Sequence, residues 1–351
     1  MLMTRKAAVM YGIDDIRIEN LPIPDIGPDD VLVRIRSVGV CGSDIHFYKE
    51  GRIGSVVVVP PHILGHECAG EIVGIGANVK NLKIGDKVAI EPGRPCGKCE
   101  LCLKGKYNLC PEMIFMSAPH PRKLDEGAFV EYSARPAHFC FPLPEHISFD
   151  EGAMVEPLAV ALQALKQGKI SAGQSIAILG CGPIGLAVLI AAKAYGCSPI
   201  YMTDIMDYRL NKAKTTGATE VFNVAEEDYT EKINKLTGGR GVDAVIDTTG
   251  SEKAYMGAVA IAARGSTIVL VGMSANEMAL FNIGSIIDKE LFIAGVFRYN
   301  NVYQQAVNLI SSGIADVKQL ISHRLKFENI VEAMDIVAKK RDNVVKVIID
   351  I

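Results

Sequence analysis

The chain has 351 residues, 49% of them hydrophobic, and a formal net charge of −3 with Lys and Arg spread along its length. This is enough apolar material for two cores, and no basic stripe interleaved with aromatics appears, which argues against nucleic-acid binding. The most apolar run, Pro183 to Ala192, is too short to span a bilayer, and Met1 to Met10 lacks the apolar core of a secretory signal, so a cytoplasmic protein is expected.

From Met1 to about Phe149 the pattern is short strands broken by Gly and Pro. Val31–Val38 alternates in parts, Glu71–Ile75 and Lys87–Ile90 are β-branched, and no long helical period intervenes, which predicts a mainly β domain. Near Asp150 the texture changes. Gly152–Lys166 is rich in Ala, Leu, Met and Glu at helical spacing, with Gly168 placed to end it. Strands are then expected at Ser175–Leu179, Ile200–Thr203, Val242–Ile246 and Thr267–Val271, alternating with helices at Ile184–Tyr195 and Tyr208–Thr215. That alternation predicts an α/β domain with a parallel sheet covered on both faces. After Leu291 come one more strand, helices near Val302–Ile310 and Ile330–Ala338, and a last apolar strand, Val344–Ile349.

Nine cysteines would suggest disulfides in a small secreted protein, whereas in a long chain of the expected cytoplasmic kind the same count points to metal or catalysis. Cys96, Cys99 and Cys102 stand at intervals of three, with Cys110 beyond them. Four thiolates on one loop close a tetrahedral shell about zinc and leave no open position, so this metal would be structural. A second set, Cys41, His66 and Glu67, offers sulfur, nitrogen and oxygen donors, with Ser43 and His46 beside the Cys where a proton could travel. Glu67 and Glu156 compete for the third position. A thiolate, a neutral imidazole and one carboxylate balance Zn²⁺ and leave its fourth position to water or substrate. One Glu is therefore expected on the metal and the other beside it, holding the bound water or alcohol. His62, His120, His138, His146 and His323 are read as structural, and Cys68, Cys140, Cys181 and Cys197 as small buried hydrophobes.

Gly180-Cys181-Gly182-Pro183-Ile184-Gly185 follows an expected strand and opens an expected helix. Gly180 permits the tight turn, Gly182 lets backbone approach a pyrophosphate, and Gly185 packs helix on strand. Asp204 falls at the end of the next strand, roughly 20 residues on, where its carboxylate accepts ribose hydroxyls and repels a 2′-phosphate, favouring NAD over NADP. Arg209, one short turn further, could flank the adenine.

Across Cys41-Gly-Ser-Asp-Ile-His46, Gly51-Arg-Ile-Gly54, Leu64-Gly-His-Glu67, Asp86-Lys-Val-Ala-Ile-Glu-Pro-Gly93, Val155-Glu-Pro-Leu158, Gly182-Pro-Ile-Gly185 and Gly295-Val-Phe-Arg-Tyr299, the chain resembles the zinc-containing medium-chain alcohol dehydrogenases. Within them it is most similar to the sorbitol (L-iditol) and xylitol dehydrogenase group. The resemblance implies a GroES-like, mainly β catalytic domain over residues 1–155, completed by 292–351, around a Rossmann domain at 156–291, with the active site in the cleft between them. It implies Cys41, His66 and Glu67 as catalytic zinc ligands, with Glu156 reaching the metal's water and the substrate. Arg298 and Tyr299 would contact polyol, and Phe47 stands where the family often has a Tyr that does so. Ile184, Asp204, Arg209, Val271, Gly272, Met273, Val296, Phe297 and Arg298 match NAD contacts.

The reaction so implied oxidises a secondary alcohol of a polyol to a ketose, the proton leaving through Ser43 and His46 or a Glu156-held water and the hydride passing to NAD. A homotetramer is expected by the same resemblance. The rivals are a threonine or butanediol dehydrogenase, which share the metal and NAD signals, and a catalytically silent NAD-binding relative.

Overall fold

The computed structural model describes residues 3–119, 126–274 and 278–351, and His120 lies outside them. The chain divides into two compact units, residues 1–156 with 303–351, and residues 157–302.

The first unit is built on the strand Asp30–Gly39, where Val31, Val33 and Ile35 are fully buried. It pairs antiparallel with Glu67–Ile75 on one side and with Lys346–Asp350 on the other. Among the described residues the sheet has seven strands, running Cys140–Pro142, Lys87–Ile90, Glu67–Ile75, Asp30–Gly39, Lys346–Asp350, Ile321–Lys326, with Tyr132–Pro136 also on the central strand. The last strand of the chain thus completes a sheet begun by the first hundred residues. Its apolar residues form one core, to which Met10, Leu64, Phe129 and Met334 also contribute.

Two local features depart from the sequence reading. A helix at Gly42–Glu50 interrupts the β pattern where no helical period was evident. Only Asp44, Phe47 and Tyr48 of it are buried, and its ends carry it: Asp44 accepts the Cys41 N–H, and Gly51, at φ +67°, stops it. The helix expected over Gly152–Lys166 is two helices, Phe149–Ala153 and Val155–Gln167. Pro157 has no N–H to offer the Ala153 carbonyl, so a continuous helix cannot form, whereas proline is tolerated in the first turn of a new one.

Among the described residues the second unit holds a six-stranded parallel sheet in the order Glu220–Asn223, Ile200–Asp204, Ile176–Leu179, Val242–Asp247, Ala262–Leu270, Phe292–Gly295. This is the doubly wound order, with the reversal beside Ile176–Leu179. The strand Ile176–Leu179 is fully buried, and so is the middle of the following helix, Pro183–Ala194, from Gly185 to Ala192, as continuous apolar runs require. Glu220–Asn223 was not legible in the sequence because it is short and starts exposed. The chain returns to the first unit at Tyr303 rather than at residue 292, because Phe292–Gly295 adds to the edge of the parallel sheet.

Candidate active site

In the first unit, Cys41 caps the Gly42–Glu50 helix, and Gly65, at φ +93°, turns the chain so that His66 and Glu67 enter a strand close by. A side chain at Gly65 would run into the Phe129 ring. The Cys41 Sγ, a His66 ring nitrogen and a Glu67 carboxylate oxygen lie within 4.8 Å of one another.

Behind them stands Asp44, which the sequence reading gave no role. It is fully buried, accepts the N–H groups of Cys41 and Gly65 at 3.0 Å each, and faces His66 Nδ1 at 3.5 Å. Burial opposes charge on His66, yet the Asp44 carboxylate and the Cys41 sulfur hold its pKa well above the usual histidine value. The cluster is a place that favours a cation.

Glu67 reaches across the central strand to Lys346, whose Nζ lies 2.7 and 2.6 Å from its two carboxylate oxygens. Gly39 permits this, since a Cβ there would collide with Glu67 Oε2. Burial works against the Lys346 charge, but Glu67 foremost, then Cys41 and Glu156, raise its pKa. Glu156 is buried in the first turn of the Val155–Gln167 helix and is not among the three converging donors. A half-buried sulfur with a buried nitrogen and a buried oxygen donor, all within reach of one ion, fit a zinc ion with an open position. Lys346 was detectable: a lysine inside Val344–Ile349 must be buried, and a buried lysine needs an anion.

The second cluster fits a closed site. Cys99 Sγ lies 3.4 Å from Cys102 Sγ and 3.9 Å from Cys110 Sγ, and Cys96 Sγ lies 4.0 Å from Cys102 Sγ. Four thiolates each roughly 2.3 Å from a zinc ion stand about 3.8 Å apart, which is this arrangement, and a disulfide would need about 2 Å. The N–H groups of Lys98 and Cys99 push the Cys96 thiol down to about 6, towards the thiolate that binds metal. Cys68, Cys140, Cys181 and Cys197 are buried, and burial raises each thiol pKa, consistent with inert core residues.

In the second unit the three glycines act separately. Gly180 has φ +100°, and a Cβ there would press on Thr248 Oγ1 at 2.7 Å. A Cβ at Gly185 would collide with the Gly180 carbonyl. Around Gly182 there is open space, with only the Arg209 guanidinium within 4 Å of a Cβ, which is the room a pyrophosphate needs at a helix N-terminus. Asp204 ends its strand, its Oδ2 accepting the Cys181 N–H at 2.8 Å and its Oδ1 those of Ile205 and Met206 at 2.8 and 3.0 Å. It ties the glycine turn to the next loop while presenting a carboxylate there. Val271–Met273 and Val296–Arg298 directly follow two further parallel strands, so these expected contacts share the carboxyl edge of the sheet with Gly180 and Asp204. Arg298 has φ +56° and its guanidinium lies 4.7 Å from the centre of the Phe297 ring, while Tyr299 is buried.

The remaining expected residues differ in placement. Ser43 lies in the first turn of the Gly42–Glu50 helix, while His46 is exposed, with Nδ1 3.1 Å from Glu50 Oε1. Phe47 is buried in the apolar core of the first unit. Glu91, missed in the sequence, is buried, accepts the Tyr107 hydroxyl at 2.8 Å, and is raised to about 7 by burial.

Residues 27–145 match the family model for the alcohol dehydrogenase GroES-like domain, and residues 183–312 match that for zinc-binding dehydrogenases. The chain is 43% identical over 345 residues to a sorbitol dehydrogenase of Bacillus subtilis, covering 98% of this chain and 96% of the relative. It belongs to the zinc-binding alcohol dehydrogenase family. Among solved structures, an Escherichia coli oxidoreductase/dehydrogenase of unknown specificity superposes with a TM-score of 0.93 at 36% identity over 99% of both chains. The 2R,3R-butanediol dehydrogenase of Bacillus subtilis does so with a TM-score of 0.90 at 30% identity, again over 99% of both. No described helix is long and apolar enough to cross a membrane.

Proposed function

We propose that this enzyme oxidises a secondary hydroxyl of a polyol of the sorbitol, xylitol or L-iditol class to a ketose, with NAD taking the hydride. The observation that carries this is the convergence of Cys41, His66 and Glu67 in a chain 43% identical to a sorbitol dehydrogenase. Cys41, His66 and Glu67 hold the catalytic zinc, and Cys96, Cys99, Cys102 and Cys110 hold the structural one. When bound, the catalytic zinc supplies Lewis-acid polarisation of the alcohol oxygen and NAD a hydride acceptor.

The residues of the chain do the rest. Glu156 orients the alcohol, the Ser43 hydroxyl accepts its proton while giving its own to His46, and His46, exposed on the same helix, releases a proton to water. Gly180, Gly182, Ile184 and Gly185 cradle the cofactor's pyrophosphate, and Asp204 and Arg209 hold its adenosine end. Val271, Gly272, Met273, Val296, Phe297 and Arg298 flank the remainder. Arg298 and Tyr299 bind the substrate hydroxyls.

A smaller diol is the second reading. The buried, hydroxyl-free Phe47 and the likeness to a butanediol dehydrogenase favour it. Metal analysis with NADH formation followed on sorbitol, xylitol, L-iditol, L-threonine and 2,3-butanediol separates the two. Turnover highest on the polyols supports the first reading, highest on butanediol the second, and none on any alcohol refutes both. A Glu156→Ala variant with full turnover removes Glu156 from the mechanism.

We also infer a cytoplasmic homotetramer that binds neither nucleic acid nor membrane. The strand Phe292–Gly295 supports self-association: it is a sheet edge with Phe292 62% and Ile293 44% exposed, an apolar edge that pairing with a second copy would cover. Sedimentation of the unaltered protein and of Ile293→Lys tests this, and an unaltered monomer refutes it.

A further inference from the structure

Among the described residues, three donors hold the Asp44 carboxylate. Two are the backbone N–H groups of Cys41 and Gly65, which the helix cap and the strand entry supply whatever their side chains. The third is the Ser117 hydroxyl, whose Oγ lies 3.0 Å from Asp44 Oδ1, the oxygen that also faces His66 Nδ1. Ser117 is far from Asp44 in sequence and is itself only 1% exposed.

The backbone of Ser117 is as unusual as its location. Its φ is +68°, a left-handed conformation that L side chains other than Asn and Asp rarely adopt. Glycine would sit there without strain, and a strained residue in a buried place calls for a reason. On the other side of the same residue, the buried His62 donates from Nε2 to the Ser117 carbonyl at 2.9 Å. Ser117 is thus gripped from both sides, by a histidine at its carbonyl and by an aspartate at its hydroxyl.

We propose that Ser117 is a positioning residue for the catalytic metal. Its hydroxyl fixes Asp44, Asp44 fixes the His66 ring through Nδ1, and the other ring nitrogen is left for the ion. Groups behind the ligands set ring orientation and tautomer, and loss of a direct partner of a metal-bound histidine costs metal affinity about 10–100-fold. Ser117 acts one bond further out, so a loss at the lower end of that range, about tenfold, is expected. The inference rests on Cys41, His66 and Glu67 being a zinc site.

Ser117→Gly is the decisive variant, because it removes the hydroxyl while suiting the left-handed backbone, and so should fold and resist heat at least as well as the unaltered protein. Zinc release to a chelator is followed in the unaltered protein, in Ser117→Gly and in Ser117→Ala, and the visible spectrum of each is recorded after cobalt substitution. Release of the catalytic zinc should be about tenfold faster in both variants, with an altered cobalt spectrum, while zinc at the four cysteines is released at the unaltered rate. Unchanged release and an unchanged spectrum in a two-zinc protein would overturn the role of Ser117 alone. An unaltered protein that holds only the four-cysteine zinc would instead remove the site, and the inference with it.

Discussion

Replacing Lys346 by Met tests how the catalytic cluster balances its charge. The ammonium makes two bonds to Glu67, at 2.6 and 2.7 Å, and one to the Val40 carbonyl at 3.2 Å, and both side chains of the ion pair are 1% exposed. Methionine fills the space of the lysine stem, so packing changes little. What remains is a buried carboxylate without its cation, and breaking such a pair costs roughly 3–5 kcal/mol.

That cost belongs to the metal-free protein. With zinc at Cys41, His66 and Glu67 the ion supplies the missing positive charge, so the loss should be smaller by about 2 kcal/mol or more. By linkage, the variant must then bind the catalytic zinc more tightly, by about 30-fold for 2 kcal/mol. Urea unfolding of both proteins, with zinc and after chelation, measures the two losses, and competition with a chelator measures the affinity. Equal destabilisation in both forms, or weaker zinc binding by the variant, would refute this account of Glu67 and Lys346.

Gly39→Ala should displace the Glu67 carboxylate, and elemental analysis should then find the catalytic zinc lost and the four-cysteine zinc retained. Cys99→Ser should lower the melting temperature before it lowers turnover; an inactive variant of unaltered heat resistance would show that the loop does more than hold structure. Glu91 keeps its proton in the folded state up to about 7, against 4.5 for the free group, so between those values the folded protein holds a proton that the unfolded chain has lost. Stability should fall across that window by a few kcal/mol, about 3 by linkage, and Glu91→Gln, which still accepts the Tyr107 hydroxyl, should flatten the fall in urea midpoints between pH 5 and pH 8. Asp204→Ser should relax the preference for NAD, read as the ratio of kcat/KM with NAD to that with NADP; equal use by the unaltered protein would contradict the role given to Asp204.

The features legible in the sequence are those made by neighbours in the chain. Four cysteines within one loop need only that loop to meet, and a glycine turn between strand and helix carries its own backbone requirements. Asp204 follows from the length of one helix and one strand. The two-domain α/β organisation was legible for the same reason, because hydrophobic period is a local property. Where local signals were weak, the reading failed: the Gly42–Glu50 helix rests on its caps, and the Pro157 break depends on one missing N–H.

The catalytic cluster is different. Cys41 and His66 could be picked out by type, but Glu67 and Glu156 could not be ranked, because their distance to the other donors depends on how strands pair. Strand pairing brings His66 and Glu67 to Cys41, and brings Lys346, 279 residues away, to the Glu67 carboxylate. The absence of a side chain at Gly39 opens the way between them. Asp44 and Ser117, 73 residues apart, likewise meet only through the tertiary fold. Local spacing and chemistry type pointed to zinc and a dinucleotide; burial and long-range pairing, which no window of sequence contains, decided which carboxylate stands beside Cys41 and His66 and which residues hold that carboxylate in place.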